Sequence, residues 1–140
     1  MLDRRDFIAL SALFAAPAYA ARALTETEFA AAEEFVELIL PGSKAARVMR
    51  YIDLGLAYGV GGDVASWQRG LAAWSNQKVP MEQLAANELK PSTELERFFG
   101  LAKRAAIEAY ALSEEGQKEW LGYRGGVHLE SFPGCTEEHG

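Results

Sequence analysis

Apolar residues recur at intervals of three and four along most of this chain, with polar residues between them. This spacing is typical of α-helices that bury one face. Two predicted helices begin with capping boxes, Thr25-x-x-Glu28 and Thr93-x-x-Glu96, in which threonine and glutamate side chains satisfy free backbone N–H groups. Their expected buried faces are Phe29, Ala32, Val36, Ile39 and Leu40 in the first helix, and Leu95, Phe98, Phe99, Ala102, Ala106, Ala109 and Leu112 in the second.

Four further helices are predicted from the same periodicity together with residues that start or stop helices. Their expected positions are Lys44–Tyr58, a helix capped by Asp63 that carries Val64, Trp67, Leu71 and Trp74, a short helix Pro80–Leu89, and a last short helix capped by Ser113 that carries Trp120 and Leu121. No segment alternates with period two, and the Asn-Gly and Asp-Gly dipeptides typical of hairpin turns are missing. The sequence therefore predicts an all-α fold, a small helical bundle over residues 21–121.

The chain changes character from Gly122 onwards, where residues 122–140 are predicted to form an extended C-terminal arm. Residues 122–135 contain four glycines and one proline, which disfavour a helix. The same segment keeps the apolar side chains of Tyr123, Val127, Leu129 and Phe132, which disordered tails usually lack. Two interpretations remain open: a tail folded over its own bundle, or an arm that buries these side chains on another chain.

The N-terminal residues 1–20 resemble a twin-arginine export signal, in which Arg4 and Arg5 are followed by Phe7 and Ile8. The alternative is an ordinary secretory signal that carries two arginines, and the acidic Asp3 and Asp6 offset their charge. A twin-arginine signal implies that the protein reaches the periplasm already folded.

A cleavage site is predicted at the end of this segment. The apolar stretch over residues 7–16 is shorter than the roughly 20 residues that span a bilayer. It is followed by Ala18-Tyr19-Ala20, an A-x-A sequence of the kind that signal peptidases cut, so the mature chain is expected to start at Ala21. About 120 residues would then remain, enough for one domain with its own core.

Composition and spacing predict no catalytic, cofactor or metal site in this chain. The formal net charge of −6 argues against nucleic acid as a partner, since phosphate binding needs a concentrated basic face. Gly59-Val60-Gly61-Gly62 lacks the Lys-Ser/Thr of a phosphate loop, and the glutamates at 33, 34 and 37 suit a solvated helix face. His128, Cys135 and His139 could supply three metal ligands, but the usual paired-cysteine spacing is absent.

Cys135 is the only cysteine of the chain, so it cannot form an internal disulfide. In an oxidising compartment a lone cysteine near the end of an arm suggests a bond to another chain. A free exposed thiol is the other reading. We favour an inter-subunit disulfide at Cys135.

Several blocks, in this order, resemble the gluconate 2-dehydrogenase subunit 3 family. They are Leu38-Ile39-Leu40-Pro41-Gly42, Tyr51-Ile52-Asp53, Phe98-Phe99 through Glu108-Ala109-Tyr110, Ser113-Glu114-Glu115-Gly116, Leu121-Gly122-Tyr123-Arg124-Gly125 and Phe132-Pro133-Gly134-Cys135-Thr136. The resemblance covers the export signal and nearly all of the mature chain. The last two blocks are the most specific.

The resemblance implies a non-catalytic small subunit that supports the folding and twin-arginine co-export of a larger partner. That partner would be an FAD-dependent dehydrogenase of the glucose–methanol–choline type, acting on sugars or sugar acids, and a c-type cytochrome would accept the electrons. FAD would belong to the partner and not to this chain. The competing hypothesis is a free-standing exported binding protein, whose pocket would be lined by Trp67, Trp74 and Trp120.

Residues in two regions are expected to contact the partner. Phe98 and Phe99 are adjacent on a helix and therefore point about 100° apart, so that one can face the bundle and the other a partner, although a broad core stripe could take both. In the arm, Tyr123 and Phe132 are expected to be apolar anchors, and the guanidinium group of Arg124 can pair with a carboxylate of the partner. Pro133 stiffens the backbone, and Gly134 permits close approach to another surface.

Non-reducing electrophoresis of the purified complex, with free thiols alkylated first, tests the disulfide. We expect this chain and its partner to migrate as one band that separates on reduction, because Cys135 links them covalently. Cys135→Ser provides the control and should give two bands under both conditions. Two bands from the unreduced wild-type complex would contradict the prediction.

Overall fold

The fold is all-α over the part of the chain that the computed structural model describes, residues 22–123. Six helices and no strands follow one another there. Their bounds are α1 Glu26–Ile39, α2 Val48–Ala57, α3 Val64–Asn76, α4 Met81–Ala86, α5 Glu94–Leu112 and α6 Glu114–Trp120. Helix α5 is the longest and contacts each of the other five, so the bundle is arranged around it.

The predicted helix starts are confirmed where a side chain caps them. Thr25 and Thr93 both form complete capping boxes, with Glu28 and Glu96 respectively. Asp63 accepts a hydrogen bond from the Ser66 N–H at 2.7 Å and begins α3. These caps depend on residues at most three positions apart, which is why the sequence alone could locate them.

Helix α2 begins four residues later than the predicted Lys44, because the preceding segment folds into turns. The carboxylate of Glu37 accepts hydrogen bonds from the Gly42 N–H, the Ser43 hydroxyl and the Lys44 N–H, at 3.0, 2.9 and 2.7 Å. Arg47 then adopts a left-handed conformation with φ of 56°. The Gly42 and Lys44 N–H groups lower the pKa of Glu37, so this glutamate is a fixed acceptor and not a freely solvated one.

Helix α4 also differs from its prediction, since it ends at Ala86 and not at Leu89. Leu89 lies on the surface with 94% of its side chain exposed. The carboxylate of Glu96 on α5 accepts hydrogen bonds from Asn87 at 2.9 Å and from the Ser92 N–H at 2.7 Å. These bonds hold the α4–α5 connection in a non-helical path that local periodicity does not reveal.

The core is centred on a cluster of four aromatic rings. Phe98 of α5 stacks on Phe35 of α1, with 4.9 Å between ring centroids, and meets the edge of Trp67 of α3 at 5.2 Å. Trp74 also packs on Phe35, edge to face, with 5.1 Å between ring centroids. The four side chains are between 0% and 5% exposed, so α1, α3 and α5 are joined through them.

Both Phe98 and Phe99 are buried within the bundle, at 3% and 4% exposure. This corrects the expectation that one of them faces outwards to a partner. The buried face of α5 is broad, since it also includes Leu95, Ala102, Ala106, Ala109 and Tyr110, and a stripe of that width takes both rings.

Gly70 allows α3 to approach α5 at the centre of the core. A Cβ atom at this position would lie 2.0 Å from the ring of Phe98, far inside van der Waals contact. Gly100, on α5, is the opposite case, because a Cβ there would meet no atom within 4 Å. The two glycines therefore form a matched pair in which only one is required by packing.

We expect Gly70→Ala to lower the free energy of unfolding by about 1–3 kcal/mol or more, because the methyl group overpacks the core against Phe98. Gly100→Ala should instead raise it by about 0.5–1 kcal/mol, through higher helix propensity. Chemical denaturation followed by circular dichroism measures both. Equal effects of the two substitutions would show that Gly70 does not fix the distance between α3 and α5.

Candidate partner-binding surface

An exposed apolar surface lies at the C-terminal end of the described chain. Its residues are Trp120, Leu121 and Tyr123, with 47%, 66% and 51% of their side chains exposed. We refer to these three as the C-terminal patch. Isolated apolar residues on a surface are ordinary, but three within four positions, two of them aromatic, have the composition of a protein-binding site.

The connection between α5 and α6 sets the position of the patch. Ser113 ends α5 and begins α6, with its hydroxyl donating to the Tyr110 carbonyl at 2.6 Å and accepting from the Gly116 N–H at 3.0 Å. Gly116 packs so closely on α5 that a Cβ atom would lie 1.7 Å from the Tyr110 carbonyl oxygen. Helix α6 is therefore held against the end of α5.

Tyr110 supports the patch from inside the bundle. Its ring packs against that of Trp120 with 4.6 Å between centroids, and Trp120 remains 47% exposed. The Tyr110 hydroxyl donates to the Glu119 carboxylate, which raises the pKa of Tyr110 to about 12, with burial adding to the effect. The Tyr110 hydroxyl therefore stays protonated at neutral pH and donates its hydrogen bond to Glu119.

The chain leaves α6 in a direction fixed by backbone geometry. Gly122 has φ of +65°, a left-handed conformation that glycine adopts without strain. The Tyr123 N–H donates to the Gln117 carbonyl at 2.9 Å, and the Gln117 side chain donates to the Ala111 carbonyl. The Leu-Gly-Tyr sequence thus follows the end of α6, and Tyr123 lies at the point where the predicted arm starts.

Several predicted functional residues fall outside the described residues. They are Arg4, Arg5, Phe7, Ile8, Ala18, Ala20 and Ala21 of the export signal and its cleavage site, and Arg124, Phe132, Pro133, Gly134 and Cys135 of the arm. Of the predicted partner contacts, Tyr123 is exposed and lies in the C-terminal patch, whereas Phe98 and Phe99 are core residues.

The three tryptophans do not lie together as the binding-protein hypothesis requires. Trp67 and Trp74 belong to the aromatic core, with 0% and 5% exposure, and are joined through Phe35 and Phe98. Trp120 packs on Tyr110 instead. The helical spacing of Trp67 and Trp74 therefore reflects burial in the core, whereas Trp120 is half-exposed.

The structure adds a second open surface that the sequence did not indicate. It is a groove of about 490 Å³ between α1 and the start of α4, bordered by Leu38, Trp74, Lys78 and Met81. The Lys78 ammonium lies 5.0 Å from the centre of the Trp74 ring and covers it. Leu38 is 55% exposed because it lies off the stripe of Ala32, Phe35 and Val36 that α1 buries.

Neither a metal-binding cluster nor a membrane-spanning helix is found in residues 22–123. No group of three or more His, Cys, Asp or Glu side chains there could hold a metal ion. No helix in the same range is both long and apolar enough to cross a bilayer.

Comparisons with known proteins give no match for this chain, whether with family models, with curated proteins or with solved structures.

Quenching of tryptophan fluorescence tests the exposure of the patch. Because Trp67 and Trp74 are buried and Trp120 is half-exposed, we expect acrylamide to quench mainly Trp120. Trp120→Phe should remove most of the quenchable emission and leave the rest intact. Strong quenching that persists in this variant would mean that one of the core tryptophans is accessible.

Proposed function

We propose that this chain is the non-catalytic small subunit of an exported FAD-dependent dehydrogenase of the glucose–methanol–choline type. It would support the folding of the catalytic subunit and carry it through the twin-arginine route to the periplasm. The C-terminal patch and the arm that follows it would bind that subunit. A c-type cytochrome would take the electrons from the flavin in the complete enzyme.

The observation that carries the proposal is the C-terminal patch. Trp120, Leu121 and Tyr123 are exposed, yet α6 is held rigidly by Ser113, Gly116 and the Trp120–Tyr110 contact. A rigid aromatic surface loses little conformational entropy when it binds, which favours affinity. Tryptophan and tyrosine are also the residues most often found at binding hot spots.

Three sequence features give this surface its proposed partner. The blocks that resemble gluconate 2-dehydrogenase subunit 3 include Leu121-Gly122-Tyr123, which contains two of the three patch residues and the glycine between them. The predicted signal around Arg4 and Arg5 accounts for export of a folded complex. Cys135, twelve residues after Tyr123, would fix the end of the arm covalently.

The bundle buries a continuous core of its own, so stability of the isolated chain does not separate a subunit from a free-standing binding protein. Co-purification separates them. We expect a tagged chain, isolated from the periplasm of its native host, to carry a large polypeptide in defined ratio and the absorption spectrum of a flavin. Recovery of the tagged chain alone, without flavin, would overturn the proposal.

Two sets of variants sharpen this experiment. Trp120→Ala combined with Leu121→Ala should reduce the recovered flavin at least about tenfold, since hot-spot residues contribute about 2 kcal/mol or more. Leu89→Ala is the matched control, because Leu89 is 94% exposed and lies outside the patch, and it should leave recovery unchanged.

Replacing Arg4 and Arg5 by lysine should retain both subunits in the cytoplasm, and undiminished flavoprotein in the periplasm would contradict the export role.

A further inference from the structure

Asp53 connects the start of the described chain to the middle of the bundle. Its side chain lies on α2 and is only 3% exposed. Its Oδ1 atom accepts hydrogen bonds from the Ala23 N–H at 3.1 Å and from the Leu24 N–H at 2.9 Å. A buried carboxylate is costly unless it is hydrogen-bonded, so opening these two bonds is strongly disfavoured.

The residues next to the Ala23 and Leu24 amides are also fixed, by core packing and by the cap of α1. Leu24 belongs to the core, with 3% exposure, and Thr25 follows at once with the capping box that begins α1. Arg22 lies on the surface, where its guanidinium is 5.9 Å from the centre of the Phe29 ring and 3.9 Å from the Glu26 carboxylate. Among residues 22–123, the backbone is therefore bonded to the core from Ala23 onwards, directly after an exposed arginine.

The predicted cleavage site after Ala20 is very close to this fixed point. Only Ala21 and Arg22 separate the Ala20–Ala21 bond from the Ala23 amide, and two extended residues span about 7 Å. A protease binds its substrate as an extended strand on both sides of the cut bond. When the adjoining residues are folded, cleavage requires them to open, and its rate then follows the population of the open form.

We propose that Asp53 makes removal of the N-terminal segment depend on the folding state of the bundle. An unfolded chain would be cut freely. A folded chain would be cut only while Ala23 and Leu24 are detached from Asp53, so that folded subunits keep the segment for longer. This inference rests on the export signal of the proposed function, but the contact with Asp53 can be tested without it.

Trypsin provides the direct test, because Arg22–Ala23 is a natural trypsin site at the contact itself. The full-length chain, made in a strain that lacks the twin-arginine translocase, is digested briefly, and the products are quantified by mass spectrometry. Cleavage after Arg104, in the middle of α5, reports unfolding of the whole bundle. We expect the Arg22 site of the wild-type chain to be cut far more slowly than in urea, where the bundle is unfolded.

Asp53→Ala should speed cleavage after Arg22 at least about tenfold relative to cleavage after Arg104, because two bonds to a charged acceptor are lost. Asp63→Ala is the matched control: Asp63 also binds backbone N–H, but at the start of α3, and its loss should leave the Arg22 rate unchanged. Asp53→Asn keeps an acceptor at Oδ1 and should fall between Asp53→Ala and wild type.

Two results would overturn the inference. Rapid cutting at Arg22 in the folded wild-type chain would show that the contact does not protect the segment. Equal acceleration at Arg22 and Arg104 in both Asp53 variants would show that Asp53 only stabilises the bundle as a whole.

Purified signal peptidase then links the contact to processing. The folded full-length chain should be processed at least about tenfold more slowly than Asp53→Ala, measured as release of residues 1–20. If trypsin shows protection but signal peptidase cuts both chains equally, the effect on processing is wrong although the contact is real. If neither chain is cut by signal peptidase, the cleavage site of the proposed function has failed, while the trypsin result stands.

Discussion

The contact between Phe98 and Gly70 is the constraint on which the rest of this structure depends. Helix α5 touches every other helix, and Phe98 lies where α5 meets both α1 and α3. The missing side chain at Gly70 makes room for the ring, and the ring fills the space between Phe35 and Trp67. Burial of aromatic side chains contributes more to a small core than burial of any other residue type, so this cluster sets the arrangement of the three longest helices.

Several carboxylates among residues 22–123 bind backbone amides. Asp53, Glu37, Asp63 and Glu96 each accept at least one backbone N–H, at the start of the bundle, the α1–α2 turn, the α3 cap and the α4–α5 connection respectively. Backbone N–H groups are the largest cause that lowers the pKa of Glu37, Asp63 and Glu96, because these hydrogen bonds favour the ionised carboxylate. These carboxylates therefore act as hydrogen-bond acceptors that fix the turns and connections between the helices.

The two ends of the described chain have different physical characters. At Ala23 and Leu24 the backbone is bonded into the core by Asp53, and the side chain of Leu24 is buried. At the other end the Tyr123 N–H donates to the Gln117 carbonyl, but the side chains of Leu121 and Tyr123 are exposed. The N-terminal end of the described residues is therefore packed into the core, whereas the C-terminal end leaves apolar side chains exposed.

The sequence by itself determined the helices and their capped starts, because a capping box or an apolar stripe involves residues within a few positions of each other. It also located the apolar face of α5. Only the tertiary structure decided that Phe98 and Phe99 are both buried, that Gly70 is required and Gly100 is not, and that Asp53 binds amides thirty residues away. The physical reason is the same in each case: which side of a helix is covered, and which amide a carboxylate reaches, depend on neighbours that are distant in the sequence.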